Sequence, residues 1–327
     1  MSDAANPPLV LAVPSKGRLQ ENAAAFFARA GLQFTQPRGV RDYRGGIKGL
    51  PDVEVAFLSA GEIVQQLASG AAHLGVTGAD LIHEQVPDTQ AAIEWLTPLG
   101  FGHANVVVAA PQAWIDVATM ADLDDIAADM RARQGRKLRV ATKYVNLTRR
   151  FFAEHGLSDY RIVESLGATE GAPAAGTAEI VVDITTTGST LAANALKVLD
   201  DGLILASEAH LVASLKAPWG ERARSAARAM LMRVAAEEAA RRLREVRARI
   251  ETVDEEFARD IGERLEARLP FGLQAPGGIV TIHCPDEHVF ALAEILSGAG
   301  ATDVTVRSID YVFRQDNPML DRLMARL

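Results

Sequence analysis

The residues of this sequence best equipped for chemistry stand in one run, Asp183-Ile-Thr-Thr-Thr-Gly-Ser-Thr190. Ile180–Val182 before it is apolar and β-branched, as a buried strand is, and the alanine-rich stretch from Leu191 reads as a helix. Between them, Thr185, Thr186, Thr187, Ser189 and Thr190 supply hydroxyls, and Gly188 permits positive φ or close approach. Unpaired N–H donors and roughly half a positive charge at a helix N-terminus stabilise a phosphate without any lysine. Ser189 or Thr190 is the expected N-cap. Phosphate would repel Asp183, so a ribose hydroxyl or a Mg²⁺-organised ligand suits that acid better. The plainer alternative is a threonine-rich capped turn. No Gly-Lys-Ser/Thr follows the loop, and no Gly-x-Gly-x-x-Gly follows the first apolar run.

Other candidates stand at the ends of predicted strands. Lys16, Gly17 and Arg18 follow the first, where a cation faces either a ligand or solvent, and arginine suits bidentate phosphate contact. Thr77-Gly78-Ala79-Asp80 makes another strand-end turn, in which Gly78 can serve the turn and Asp80 a helix cap. Arg149 and Arg150 share a predicted helix, so at most one faces a cleft. Glu170 precedes the threonine loop by about one supersecondary element, close enough for the fold to bring it to Asp183. His283-Cys284 with His288 is an incomplete metal pattern.

These positions require a scaffold of strands alternating with helices. Short β-branched runs at Leu9–Val13, Val53–Leu58, His73–Val76, Asn105–Ala110, Leu138–Ala141, Tyr160–Val163, Glu179–Ile184 and Leu203–Ser207 alternate with amphipathic stretches. The latter include Leu19–Ala30, Ala60–Ser69, Met120–Arg133 and Leu147–His155. The pattern implies parallel or mixed sheets covered on both faces, with ligands at the carboxyl ends of strands. From Glu221 to Leu269 there is no proline and only Gly262; Arg241, Glu245 and Arg249 recur at helical spacing, which predicts one long helix or a helical pair. After Gly277-Gly278, strand Ile279–His283, helix Glu287–Ala299 and strand Val304–Tyr311 predict a compact α+β unit.

With 327 residues and 48% hydrophobic content the chain can bury real cores, and its length predicts two or three domains. A net charge of −8 argues against coating nucleic acid. Cys284 is the sole cysteine, which fits a reducing compartment. Met1–Pro8 lacks the basic patch and apolar core of a signal peptide, and no apolar run is long enough to span a bilayer. A cytoplasmic protein is expected.

Val181–Asn194 resembles the phosphoribosyl-diphosphate loop of the ATP phosphoribosyltransferases, the family that opens histidine biosynthesis. Pro14–Leu19, Leu74–Leu81, Gly100–Gly102, Arg139–Phe152 and Gly167–Pro173 resemble further segments of that family in the same order, over Leu9 to Ser214. The resemblance implies attack of adenine N1 of ATP on C1 of phosphoribosyl diphosphate, with Mg²⁺ on the diphosphate. It implies a two-lobed fold like that of periplasmic solute-binding proteins, with residues 1–110 and 197–220 in lobe I and 111–196 in lobe II. Residues 221–327 would hold a helical connector and a small ACT-like regulatory domain, as in the family's long form. Glu170, Asp183 and Thr185–Thr190 would bind phosphoribosyl diphosphate. Lys16, Gly17, Arg18, Thr77, Gly78, Asp80 and Arg149 would bind ATP. Histidine would be a feedback inhibitor, and a homo-oligomer from dimer to hexamer is implied, with neither nucleic acid nor membrane as partner. Two departures stand out. Ser59-Ala-Gly-Glu62 lacks an arginine frequent in that loop, and Val145 replaces a frequent proline.

Overall fold

A computed structural model of the protein describes residues 6–35, 43–165, 167–275 and 277–327. The first five residues of the Met1–Pro8 segment lie outside the described residues. Two compact units emerge. One comprises Met1–Phe26, Phe34–Arg224 and Ala325–Leu327; the other comprises Phe27–Gln33 and Ser225–Met324.

The first unit is built around two sheets. The chain runs through β1 (Leu9–Pro14), α1 (Gly17–Arg29), β2 (Phe34–Thr35), β3 (Arg44–Ile47), β4 (Leu50–Leu58), α2 (Ala60–Ser69), β5 (Leu74–Gly78), α3 (Ala79–Gln85), α4 (Thr89–Ala92) and β6 (Ile93–Pro98). It crosses to a second sheet through β7 (Ala104–Pro111), α5 (Met120–Gln134), β8 (Leu138–Thr142), α6 (Val145–Glu154), β9 (Tyr160–Glu164), β10 (Ile180–Thr185), α7 (Ser189–Ala193) and β11 (Leu196–Ser207). β12 (Ala209–Ser214) returns it to the first. Among the described residues the sheets run β2-β3-β4-β1-β5-β12-β6 and β11-β7-β10-β8-β9. Both are mixed: β1 pairs in parallel with β4 and β5, β8 with β9 and β10, whereas β7 and β12 run antiparallel to their neighbours.

Burial on both faces explains the nearly unbroken apolar runs. Val106, Val108, Val140, Ile180 and Val182 pack with Leu123, Ala127 and Phe152 on one side of the second sheet. Val107, Ala109, Ala141 and Val181 pack with Leu191 on the other. Such strands need apolar residues at every position rather than at alternate ones. Each expected strand is present, with shifted ends. β2, β3, β6 and β12 were not expected, and one residue alone, Glu208, separates β12 from β11, too short a break for a turn signal.

Both departures from the family pattern fall at helix starts. Ser59 and Glu62 form a capping box on α2: the Glu62 N–H donates to Ser59 Oγ, and the Ser59 N–H to the Glu62 carboxylate. Val145 is the first residue of α6, a position where proline fits but is not required.

The second unit corrects the expectation of a helix or helical pair across Glu221–Leu269. α8 (Glu221–Arg241) is followed by a strand, β13 (Leu243–Arg249), and only then by α9 (Glu255–Leu265). β14 (Ile279–Pro285), α10 (Val289–Gly298), β15 (Val304–Ser308) and α11 (Pro318–Ala325) complete it. β13 is the central strand of a β14-β13-β15 sheet, antiparallel to both neighbours. The unit's sheet thus does not begin at Gly277. Val246, Ala248 and Ile250 enter the core with Ile282, Leu292 and Leu296, so tertiary pairing on two edges overrides the helix propensity of Arg, Glu and Leu. β15 ends at Ser308, short of the expected Tyr311.

Candidate active site

The threonine loop follows β10 at its carboxyl end and leads into α7. The helix starts at Ser189 with Gly188 as N-cap at φ +74°, and no side chain caps it, which corrects the expectation of a Ser189 or Thr190 cap. The hydroxyls shape the turn instead. Thr185 Oγ1 accepts the Gly188 N–H at 2.8 Å, and the Thr187 hydroxyl donates to Ser189 Oγ at 2.9 Å. The Thr186 hydroxyl donates to the His103 carbonyl at 3.2 Å. Space around Gly188 is open, so the glycine serves the left-handed backbone rather than a close approach. With only Ser189–Ala193 in α7, the turn's hydroxyls and N–H groups dominate over any macrodipole.

A cleft of about 260 Å³ opens beside this loop, lined among others by Glu170, Asp183, Thr185 and Thr190. The fold thus brings together the two acids expected to meet. Asp183 is half-buried and accepts the Ile184 N–H at 2.8 Å. Burial raises its carboxyl above the usual range; the Ile184 N–H and Lys143 oppose the rise, and Glu170 adds to it. Glu170 lies on the 3₁₀ turn Thr169–Gly171, entered through Ala168 at φ +49°. A left-handed alanine costs about 1 kcal/mol, a strain retained at the rim of the cleft.

Lys143 lines the same cleft and was absent from the expected site residues. Its signal was its place one residue beyond β8: Val182 pairs with Thr142, so Lys143 follows on the strand beside Asp183. Glu179 holds this register. It accepts the Arg139 N–H at 2.7 Å and the Arg139 and Arg136 guanidinium groups. Burial raises the Glu179 carboxyl, but those bonds prevail and bring it to about 2.

The residues expected to meet ATP occupy adjacent strand ends in the other sheet. Lys16, Gly17 and Arg18 are exposed after β1, with Gly17 at φ +72°, and Thr77–Asp80 follows along β5, the parallel neighbour of β1. Thr77 is fully buried with no hydrogen bond to its hydroxyl. Asp80 is also buried and accepts the Tyr144 hydroxyl at 2.8 Å and the Ser207 hydroxyl at 2.9 Å. Gly78 accommodates it, since a Cβ there would stand 2.2 Å from Asp80 Oδ1. Burial, then Asp80, drives the Tyr144 phenol far up, which keeps it a donor.

Tyr144 begins a second set of ties between α3 and α6. The Asn146 and Leu147 N–H groups donate to the Glu84 carboxylate at 2.9 Å, and Asn146 Nδ2 to the Glu84 carbonyl at 2.9 Å. Arg150 donates to the His83 carbonyl, and both Arg149 and Arg150 are exposed. Among the described residues, no group of three or more His, Cys, Asp or Glu side chains is arranged to hold a metal ion.

Fold and site together define a two-lobed α/β protein in which a threonine-rich loop and two carboxylates, Asp183 and Glu170, line one cleft. A family model described as "HisG: ATP phosphoribosyltransferase" matches residues 59–236. A protein of Nitrobacter winogradskyi named ATP phosphoribosyltransferase is 59% identical over 96% of this chain and 97% of its own. One of the same name from Nitrobacter hamburgensis is 59% identical over 98% of each. The solved "ATP phosphoribosyl transferase (HisG:HisZ) complex from Thermotoga maritima" matches with a TM-score of 0.53 at 25% identity, over 69% of this chain and 95% of that one.

The chain belongs to the ATP phosphoribosyltransferase family. It transfers the 5-phosphoribosyl group from phosphoribosyl diphosphate to N1 of ATP, releasing diphosphate, the first step of histidine biosynthesis.

Proposed function

We propose that Thr185–Thr190 binds the 5′-phosphate of phosphoribosyl diphosphate and that Asp183 and Glu170 hold its ribose hydroxyls. The observation that carries this is the shared cleft of Glu170, Asp183, Thr185 and Thr190. Lys16, Gly17, Arg18 and Arg149 would meet ATP from exposed positions, with Thr77, Gly78 and Asp80 at the neighbouring strand end as further contacts. Adenine N1 has a free lone pair at neutral pH, so the site needs no strong general base. Its task is to position two anionic substrates and to exclude water from an activated sugar. The carboxylates of Asp183 and Glu170 suit a hard cation, and Mg²⁺ carried mainly by the diphosphate would neutralise charge there.

Asp183→Asn tests this reading. An acid whose folded pKa is raised contributes stability that is complete below its ordinary value and is lost as pH rises through the folded one. Removing the charge should therefore raise the thermal melting point of the ligand-free protein near pH 7. It should also lower kcat/KM for phosphoribosyl diphosphate about 100-fold, through loss of a charged hydrogen-bond acceptor. Unchanged kcat/KM would exclude Asp183 from the substrate site.

The unit spanning Ser225–Met324 would be the histidine-binding regulatory part of a long-form enzyme. About a third of the chain lies outside the match to the solved complex, which supports a built-in regulator rather than a separate subunit. Exposed Phe271, Phe290 and Phe313 in this unit favour a homo-oligomer. Among the described residues no helix is long and apolar enough to cross a membrane, and with net charge −8 the reading is a cytoplasmic enzyme partnered by neither membrane nor nucleic acid. Deletion after Trp219 is a poor test, because Arg326 pairs with Glu94 at 2.6 Å in the first unit. Hydrogen exchange on the full chain is cleaner: added histidine should slow exchange within 225–324. Protection confined to 9–214 would place the inhibitor elsewhere.

A further inference from the structure

The proposed substrate site sets two carboxylates, Asp183 and Glu170, where a multiply charged anion must sit. The loop's hydroxyls carry no charge to offset them. Among the described residues lining this cleft one is a cation, Lys143. It is exposed at the end of β8, and its ammonium lies 5.0 Å from the centroid of the Tyr144 ring rather than on a carboxylate. The turn that carries it is tied at both ends. The Tyr144 N–H donates to Thr142 Oγ1 at 2.8 Å, and the Tyr144 hydroxyl anchors on Asp80.

We propose that Lys143 is a catalytic residue that binds the diphosphate of phosphoribosyl diphosphate and takes up its charge as it leaves. This rests on the reading of the threonine loop as the 5′-phosphate site. With the 5′-phosphate on Thr185–Thr190 and the ribose on Asp183 and Glu170, C1 and its diphosphate face the β8 side of the cleft, where Lys143 stands. In the transfer, the N1 lone pair of adenine forms the N1–C1 bond while the C1–O bond breaks. The electron pair of that bond stays on the diphosphate oxygen, which gains a negative charge, and the adenine ring takes the positive one. A fixed ammonium beside that oxygen interacts more strongly with the transition state than with the bound substrate, which is the condition for raising kcat.

The test titrates the full-length Lys143→Gln variant with phosphoribosyl diphosphate, diphosphate and ribose 5-phosphate, each with Mg²⁺. The Kd for the first two should rise about tenfold, and kcat should fall about 100-fold, the scale seen when one preorganised charge-stabilising donor is removed. Ribose 5-phosphate should bind as it does to the parent. Lys143→Arg, which keeps the charge, should recover much of kcat. Parent-like binding of diphosphate by Lys143→Gln overturns the proposal. So does a loss for ribose 5-phosphate equal to that for phosphoribosyl diphosphate, since Lys143 would then serve the 5′-phosphate. A Thr187→Ala, Thr190→Ala variant separates the two readings: it should lose ribose 5-phosphate but keep diphosphate. If it keeps ribose 5-phosphate, the loop assignment fails, while the diphosphate titration still judges Lys143.

Discussion

The Thr187→Ala, Thr190→Ala double variant is expected to bind phosphoribosyl diphosphate about 100-fold more weakly, yet to unfold within about 0.5 kcal/mol of the parent. Hydrogen bonds to a charged group contribute about 1.5–3 kcal/mol each, so losing two can readily reach that factor. The small folding cost follows from the loop. Both threonines are exposed, and the cap of α7 is Gly188, which contributes no side chain. Thr187 gives up its bond to the exposed Ser189 hydroxyl and a long one, at 3.4 Å, from the Ser189 N–H. Thr185 and Thr186 are poorer choices, because they accept the Gly188 N–H and donate to the His103 carbonyl, so their loss would disturb the turn itself. Calorimetric titration alongside urea unfolding separates the two effects. Unchanged affinity would refute the phosphate role.

How much of this was legible beforehand depends on whether a signal was local. The β10–loop–α7 unit was readable because a buried strand, a glycine and a cluster of hydroxyls are each dictated within a few residues. The meeting of Glu170 with Asp183 was foreseeable from their spacing, whereas the left-handed Ala168 that presents Glu170 leaves no mark on composition. Lys143 has no local motif to mark it, and only the Val182–Thr142 register shows which lysine stands beside the acid. β13 misled for a different reason. Arg241, Glu245 and Arg249 fit a helix, yet Val246, Ala248 and Ile250 alternate as a strand requires, and pairing with β14 and β15 decides between the periods. The burial of Asp80 is least legible of all, since its partners Tyr144 and Ser207 lie 64 and 127 residues away.

That burial carries the second large effect. Asp80→Ala should destabilise the protein by about 3 kcal/mol, because it strands two buried hydroxyls, and each unsatisfied buried polar group costs about 1–3 kcal/mol. Tyr144 is 1% exposed and Ser207 6%, so neither hydroxyl has ready access to water. Tyr144→Phe removes donor and desolvation cost together and should lose only about 1 kcal/mol. The two changes should not add: a double-mutant cycle in urea is expected to show about 1 kcal/mol of coupling, as for directly bonded groups. The Glu84 ties to Asn146 and Leu147 remain in all three variants, so α6 should keep its place against α3. Additive losses would mean that Asp80 and Tyr144 act independently, and the turn carrying Lys143 would then owe nothing to that bond.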